Sequence, residues 1–160
     1  MPDELLPITG TFLDEITWDI PSQNWGREEW RADFETMRSI GFDTLVIIRG
    51  GLARQTLFPS KVIGTNPPED IAGFFLEEAA ARNMKLFFGN YDSGDWAERD
   101  AWKEEIQINR RFMQEVFGRY GGMPAFGVSL LNTAPDFERN TASPSIRKTC
   151  WARFWVFHFW

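Results

Sequence analysis

Apolar and polar positions along this chain follow two alternating rhythms. Residues 8–13, ITGTFL, are β-branched and aromatic enough to predict a strand. Residues 27–40 then place Trp30, Phe34, Met37 and Ile40 at helical spacing on one face. Glu28 and Glu29 fall in the first turn, where the helix dipole favours acids, and Gly41 stands where a helix-terminating glycine belongs. Residues 43–49, DTLVIIR, are apolar almost throughout and end on a charge, as strands of a parallel sheet covered on both faces do. Gly50-Gly51 open a loop that runs through FPSKVIGTN. Asn66 or Thr65 is expected to cap the next helix, with Pro67-Pro68 in its first turn. Ile71, Phe74, Phe75, Glu78 and Ala79 mark that helix's face, and its end is expected near Asn83. Residues 85–89, KLFFG, predict a third strand. A helix over 98–120 follows, with Trp102, Ile106, Met113 and Val116 near one stripe and Gly121-Gly122 as its stop; residues 123–131 predict a fourth strand.

Strand, loop and helix repeated three times and closed by a strand is a (βα)3β series, so the fold class is α/β with a parallel sheet and right-handed crossovers. Two architectures fit: the N-terminal half of a TIM (β/α)8 barrel, or a small open flavodoxin-like α/β domain that uses the chain's end as its last strand and helix. Polar and aromatic residues cluster after the strands, at 14–25, 49–51 and 90–96, and not after the helices. In both architectures that strand-end edge is where ligands bind. No GxGxxG follows the first strand and no P-loop lysine occurs, so the usual nucleotide signatures are missing. From about Asn132 the rhythm breaks: residues 136–150 are polar and irregular, and the last ten, WARFWVFHFW, hold six aromatics. Residues 1–131 are therefore read as the α/β domain and 132–160 as an off-pattern tail.

Composition narrows the chemistry. With 160 residues, 43% of them hydrophobic and 25% charged, the chain is long enough for one domain with a real core. A net charge of −6 argues against nucleic acid as a partner, because phosphates need a basic face. A single cysteine, Cys150, rules out a disulfide framework or a cysteine-cluster zinc site, and a single histidine, His158, rules out a histidine triad; no metal and no cofactor are expected. No basic-then-apolar leader begins the chain, so no signal peptide is expected. That makes a cytoplasmic location the default, with secretion left open for a longer parent. No run of 18 apolar residues occurs, so no membrane partner is expected.

The mouth of the first strand carries the most suggestive chemistry. Asp14 and Glu15 end it, and Trp18 and Trp25 follow in the loop. Carboxylates beside indoles suit a carbohydrate site, since sugar C–H faces lie flat on aromatic planes. Successive strand residues point to opposite sides, so only one of Asp14 and Glu15 can face the ligand edge, and pattern alone does not say which. Glycoside hydrolysis needs two carboxyl groups about 5–5.5 Å apart for retention and further for inversion. Glu15 with Asp92, from two strand ends, is the expected catalytic pair. Asp14, Trp18, Trp25, Arg49, Asn90, Tyr91 and Trp96 are the expected substrate-binding residues. Arg49, at the end of an apolar strand, requires a carboxylate partner, for which Asp14 and Glu15 are the candidates. Against this stands a plain alternative: Asp95 caps a helix, Asp19 is solvated, and the aromatics pack loops onto the sheet.

The ordered pieces GTFLDE, QNWGREEW, DFETMRSIGFDTLVI, FPSKVI, FFLEEAAARNMKLFFGNYDSGDW and RYGGMPAFG resemble the family of bacterial TIM-barrel proteins called domain of unknown function 4434. The resemblance covers roughly residues 8–127. It implies a glycoside-hydrolase-like barrel and a glycan ligand. It also implies that a Gly-Trp-Tyr strand with a glutamate at its mouth follows the last piece, as the natural general acid. This chain instead reads GVSLLNTAPDF, with no acid before Asp136. The departure predicts a reading-frame break near Gly127, so that the chain is a fragment with little or no catalysis of its own. A non-catalytic glycan-binding or structural fragment is the other reading. Half a barrel would leave two sheet edges open, and self-association through them is expected.

Overall fold

The computed structural model describes residues 7–16, 22, 25–64, 69–92 and 101–127. The chain divides into Met1–Ser129, which holds every element below, and Leu130–Trp160, which lies outside the described residues together with the expected tail, Cys150 and His158.

Four strands form the main sheet: β1 (Gly10–Leu13), β2 (Thr44–Ile47), β5 (Lys85–Phe87) and β7 (Phe126–Gly127). They lie in the order β1-β2-β5-β7, and every neighbouring pair is parallel. Between them run α1 (Arg27–Ser39), α2 (Ile71–Ala81) and α3 (Ala101–Tyr120). The protein is thus mixed α/β with a parallel sheet. A flavodoxin-like sheet puts its first strand between two others. Here β1 and β7 are the two ends of a strictly sequential order.

Alternation along the strands explains the core. Leu13, Leu45, Ile47 and Leu86 turn to the side where α1, α2 and α3 contribute Trp30, Phe34, Phe75, Leu76, Phe112 and Val116. Aromatic rings dominate the packing: Trp30 meets Phe75 edge-on at 4.7 Å, and Phe58 stacks on Phe112 at 5.4 Å. Such pairs add about 0.5–1.5 kcal/mol beyond the area they bury. α1 stops as its sequence requires. Ile40 is the cap and Gly41 takes φ +100°. The Phe42 N–H then bonds Met37 O at 3.0 Å and the Gly41 N–H bonds Arg38 O at 3.1 Å, the paired closure that a left-handed glycine permits.

Three expectations need correction. The cap of α2 is Asp70, not Asn66 or Thr65: its Oδ1 accepts the Gly73 N–H at 2.8 Å. Tertiary contacts explain the choice, since Tyr120 donates to Oδ1 at 2.6 Å and Arg119 to Oδ2 at 3.0 Å, tying the cap to α3. Ile106 is 57% exposed, while Val116 is buried and Met113 partly buried as expected, and Phe112 and Tyr120 complete the buried stripe of α3. The segments expected as loops after the second and third strands are partly strand: β3 (Gly51–Leu52), β4 (Gln55–Thr56) and β6 (Tyr91–Asp92) form a second sheet in the order β4-β3-β6. Two-residue strands leave no periodicity to read. The turn after β4 is held from α3: the Glu115 carboxylate accepts from Ser60 Oγ at 2.7 Å and from the Lys61 N–H at 2.8 Å.

Candidate functional site

The ends of β1, β2 and β5 converge on Arg49. Its Nε donates to Asp92 Oδ2 at 3.0 Å, and its Nη1 lies 3.6 Å from Asp14 Oδ2. The carboxylate required by Arg49 is therefore Asp14 on one side and Asp92 on the other. Asp92 is buried, while Asp14 and Arg49 are partly exposed, so the cluster opens to solvent on one side.

Backbone pairing builds this mouth. The Ile48 N–H bonds Leu13 O at 2.9 Å, carrying the β1–β2 ladder one step past the strands. The Gly50 N–H then reaches Asn90 O at 3.0 Å, and the Ala53 N–H reaches Asp92 O at 2.8 Å. β3 and β6 run parallel, with Leu52 opposite Asp92. This close approach depends on glycine. A Cβ at Gly89 would lie 2.2 Å from Ile48 O, and one at Gly50 would lie 2.8 Å from Gly89 O. Tyr91 is anchored twice, by its N–H to Asn109 Oδ1 and by its hydroxyl to Ala53 O, each at 2.8 Å. Burial first, then the charges of Glu105 and Asp92, push the Tyr91 hydroxyl above its usual range, so it stays a neutral donor.

Glu15 follows Asp14 in the bend just past the end of β1. Its carboxyl sits against Trp30 of α1. Among the described residues neither Glu15 Oε2 nor Trp30 Nε1 makes a hydrogen bond of good geometry, although both atoms are buried. Burial drives the Glu15 carboxyl up to about 8; the nearby indole N–H opposes the rise and the Asp14 charge adds to it. Glu15 is therefore protonated at neutral pH. Trp25 packs edge-on against Trp30 at 4.9 Å.

Of the expected residues, the structure gathers Asp14, Arg49 and Asp92 in direct contact and sets Asn90 and Tyr91 on the adjoining backbone. Glu15 and Trp25 belong to the Trp30 cluster instead. Trp18 and Trp96, like Asp19 and Asp95, lie outside the described residues. Gly89 and Asn109 were missed. The glycine ending KLFFG was a readable sign of close backbone approach; Asn109, 18 residues beyond Tyr91, carried none. Among the described residues no group of three or more His, Cys, Asp or Glu is placed to hold a metal ion, and no helix is long and apolar enough to cross a membrane.

The protein is of the α/β class with a parallel sheet, and its charged side chains gather at the carboxyl edge, where parallel sheets commonly bind ligands. Residues 8–127 match the model of a family described as Domain of unknown function (DUF4434), and the chain belongs to that family. A crystal structure of a "putative alpha-L-fucosidase" from Bacteroides thetaiotaomicron VPI-5482 is similar, with a TM-score of 0.66 and 40% sequence identity. That match covers 76% of this chain but 39% of the Bacteroides chain, so this chain spans well under half of that protein's length. No curated protein matches.

Proposed function

We propose that the mouth around Arg49 is one wall of a glycan-binding site, and that the chain is the N-terminal half, (βα)3β, of a glycoside-hydrolase-like TIM (β/α)8 barrel. The observation that carries this reading is Arg49 held between Asp14 and Asp92 at the carboxyl edge of a sequentially ordered parallel sheet. The Bacteroides neighbour, a "putative alpha-L-fucosidase" that is 40% identical, supports it. A guanidinium between two carboxylates fixes donors and acceptors side by side, which suits the binding of sugar hydroxyls. In this reading Asp92 holds the catalytic position of the intact barrel. Glu15, protonated but turned to Trp30, braces the end of β1 rather than reaching the substrate. The proton donor of the family pattern falls after the fourth strand, where this sequence reads GVSLL. Binding without turnover follows, and residues 132–160 are read as an off-pattern tail.

A structural reading competes on one specific observation. Arg49 has both carboxylates as partners, and Trp25 is packed on Trp30, so the cluster satisfies itself without a ligand. Calorimetric titration with a monosaccharide panel that includes L-fucose, alongside hydrolysis of the matching nitrophenyl glycosides, separates the readings. Heat of binding with no hydrolysis is expected. Turnover that disappears in Asp92→Asn or Glu15→Gln would sink the inactive-fragment reading. No binding to any sugar would leave the structural one.

A further inference from the structure

β6 carries Asp92 to Arg49, and its two edges are held in different ways. On one edge it meets β3: the Gly50 N–H bonds Asn90 O at 3.0 Å and the Ala53 N–H bonds Asp92 O at 2.8 Å. Backbone groups alternate sides along a strand, so Tyr91, between these two, turns its N–H to the other edge. Among the described residues β6 ends the order β4-β3-β6, so no strand pairs there. A side chain takes the place of one. Asn109 of α3 accepts the Tyr91 N–H on Oδ1 at 2.8 Å. The other end of that amide is fixed as well, because Nδ2 donates to Glu105 O, one turn back, at 3.2 Å. With its donor end committed to the helix, the side chain offers β6 only its acceptor. Asparagine is a weak helix former, and this contact accounts for its place inside α3.

We infer that Asn109 is a positioning residue for the Asp92–Arg49 pair: it fixes β6 from the helix side so that the Asp92 carboxylate meets the guanidinium. The sugar-binding consequence rests on the glycan reading of that mouth and deepens it by naming what sets its geometry. Asp92 directly follows the residue whose amide Asn109 holds. Its Oδ2 takes the Arg49 Nε–H at 3.0 Å, and such charge-assisted bonds weaken steeply as distance and angle drift. The β3 edge does not hold β6 without strain of its own. Ala53, which supplies the bond to Asp92 O, is a non-glycine at φ +51°, a conformation that persists only where its surroundings impose it. The Tyr91 hydroxyl, on Ala53 O at 2.8 Å, is part of that hold. Freeing the Tyr91 N–H therefore loosens β6 and the strained turn beside it together, and Asp92 lies between them.

The Arg49 Nε–H resonance of the full chain, followed by nuclear magnetic resonance together with its hydrogen-exchange rate, tests this. Asn109→Ala should move the resonance toward that of a solvated arginine and speed its exchange by about 10-fold, with helical circular dichroism unchanged. Asn109→Asp keeps an acceptor for the Tyr91 N–H and gives up only the bond to Glu105 O, so it should restore most of the signal. Asp70→Asn, which loosens α2 against α3 and has no bond to β6, is the control for lost stability and should leave the resonance in place. Calorimetric Kd values on the monosaccharide panel that includes L-fucose should rise about 10-fold in Asn109→Ala and recover in Asn109→Asp. An unchanged Arg49 resonance in Asn109→Ala, an equal loss in Asp70→Asn, no recovery in Asn109→Asp, or loss of the helical signal in Asn109→Ala would each overturn the inference. A wild-type chain that binds no sugar, with Arg49 still released by Asn109→Ala, would uphold the positioning role and sink the glycan reading.

Discussion

Glu15→Gln should leave stability unchanged in mild acid and raise it in mild alkali. The Glu15 carboxyl ionises at about 8 in the folded protein and at 4.5 when unconstrained. The unfolded chain therefore releases this proton first as pH rises. The folded state has its full advantage below 4.5, loses it progressively between 4.5 and about 8, and stays without it above. The difference, 8 − 4.5, at about 1.4 kcal/mol per pH unit, gives an upper bound of about 5 kcal/mol. Glu15 as a residue is only partly buried, so water screens much of this, and about 1–2 kcal/mol should be observed. Glutamine keeps the shape and cannot ionise. Urea melts at pH 5 and pH 9 are the assay. The variant should match wild type within about 0.5 kcal/mol at pH 5 and exceed it by about 1–2 kcal/mol at pH 9. Taking the difference between the two proteins cancels every other titrating group. Parallel profiles for wild type and variant would refute the buried carboxyl against Trp30 as the cause.

Gly89→Ala drives a Cβ into Ile48 O and should cost about 2–3 kcal/mol, while Gly118→Ala, with open space around it, should be neutral or stabilising in the same melts. Asp70→Ala removes a cap worth about 1 kcal/mol and strands the buried Tyr120 hydroxyl, for a total of about 2–3 kcal/mol by denaturant unfolding; Asp70→Asn, which keeps an acceptor, should lose about half of that. At Glu115, burial pushes the carboxyl up, but the Lys61 and Val62 N–H groups, the Ser60 hydroxyl and Arg119 outweigh it and hold the group below its ordinary range. Its stabilisation is present above pH 4.5 and lost as pH falls through the lower folded value, so Glu115→Gln should flatten the acid limb of the stability curve.

The α/β rhythm was legible because each helix spends one face on the core. Trp30, Phe34 and Met37 are all buried where spacing put them, while Ile40, expected on the same face, is the C-cap and 65% exposed, and Gly41 closes α1 where composition put it. The second sheet was not legible, since β3, β4 and β6 are two residues each and owe their pairing to the approach of Gly50 and Gly89. The cap of α2 went to Asp70 over nearer-looking residues because α3, 49 or 50 positions away, supplies Arg119 and Tyr120 to it. In the site, the demand of Arg49 for a carboxylate was readable from one charge at the end of an apolar run. Which of Asp14 and Glu15 would answer depended on strand register, which only the β1–β2 pairing decides.

The central claim is that Asp14, Arg49 and Asp92 form a wall of a sugar site. Amide shifts in a nuclear magnetic resonance titration of the full chain with the monosaccharide panel test it most directly. The account predicts shifts confined to Asp14, residues 49–52 and residues 90–92, and their loss in Asp92→Ala with the fold intact. Shifts that centre elsewhere, or an Asp92→Ala variant that titrates like wild type, would contradict it.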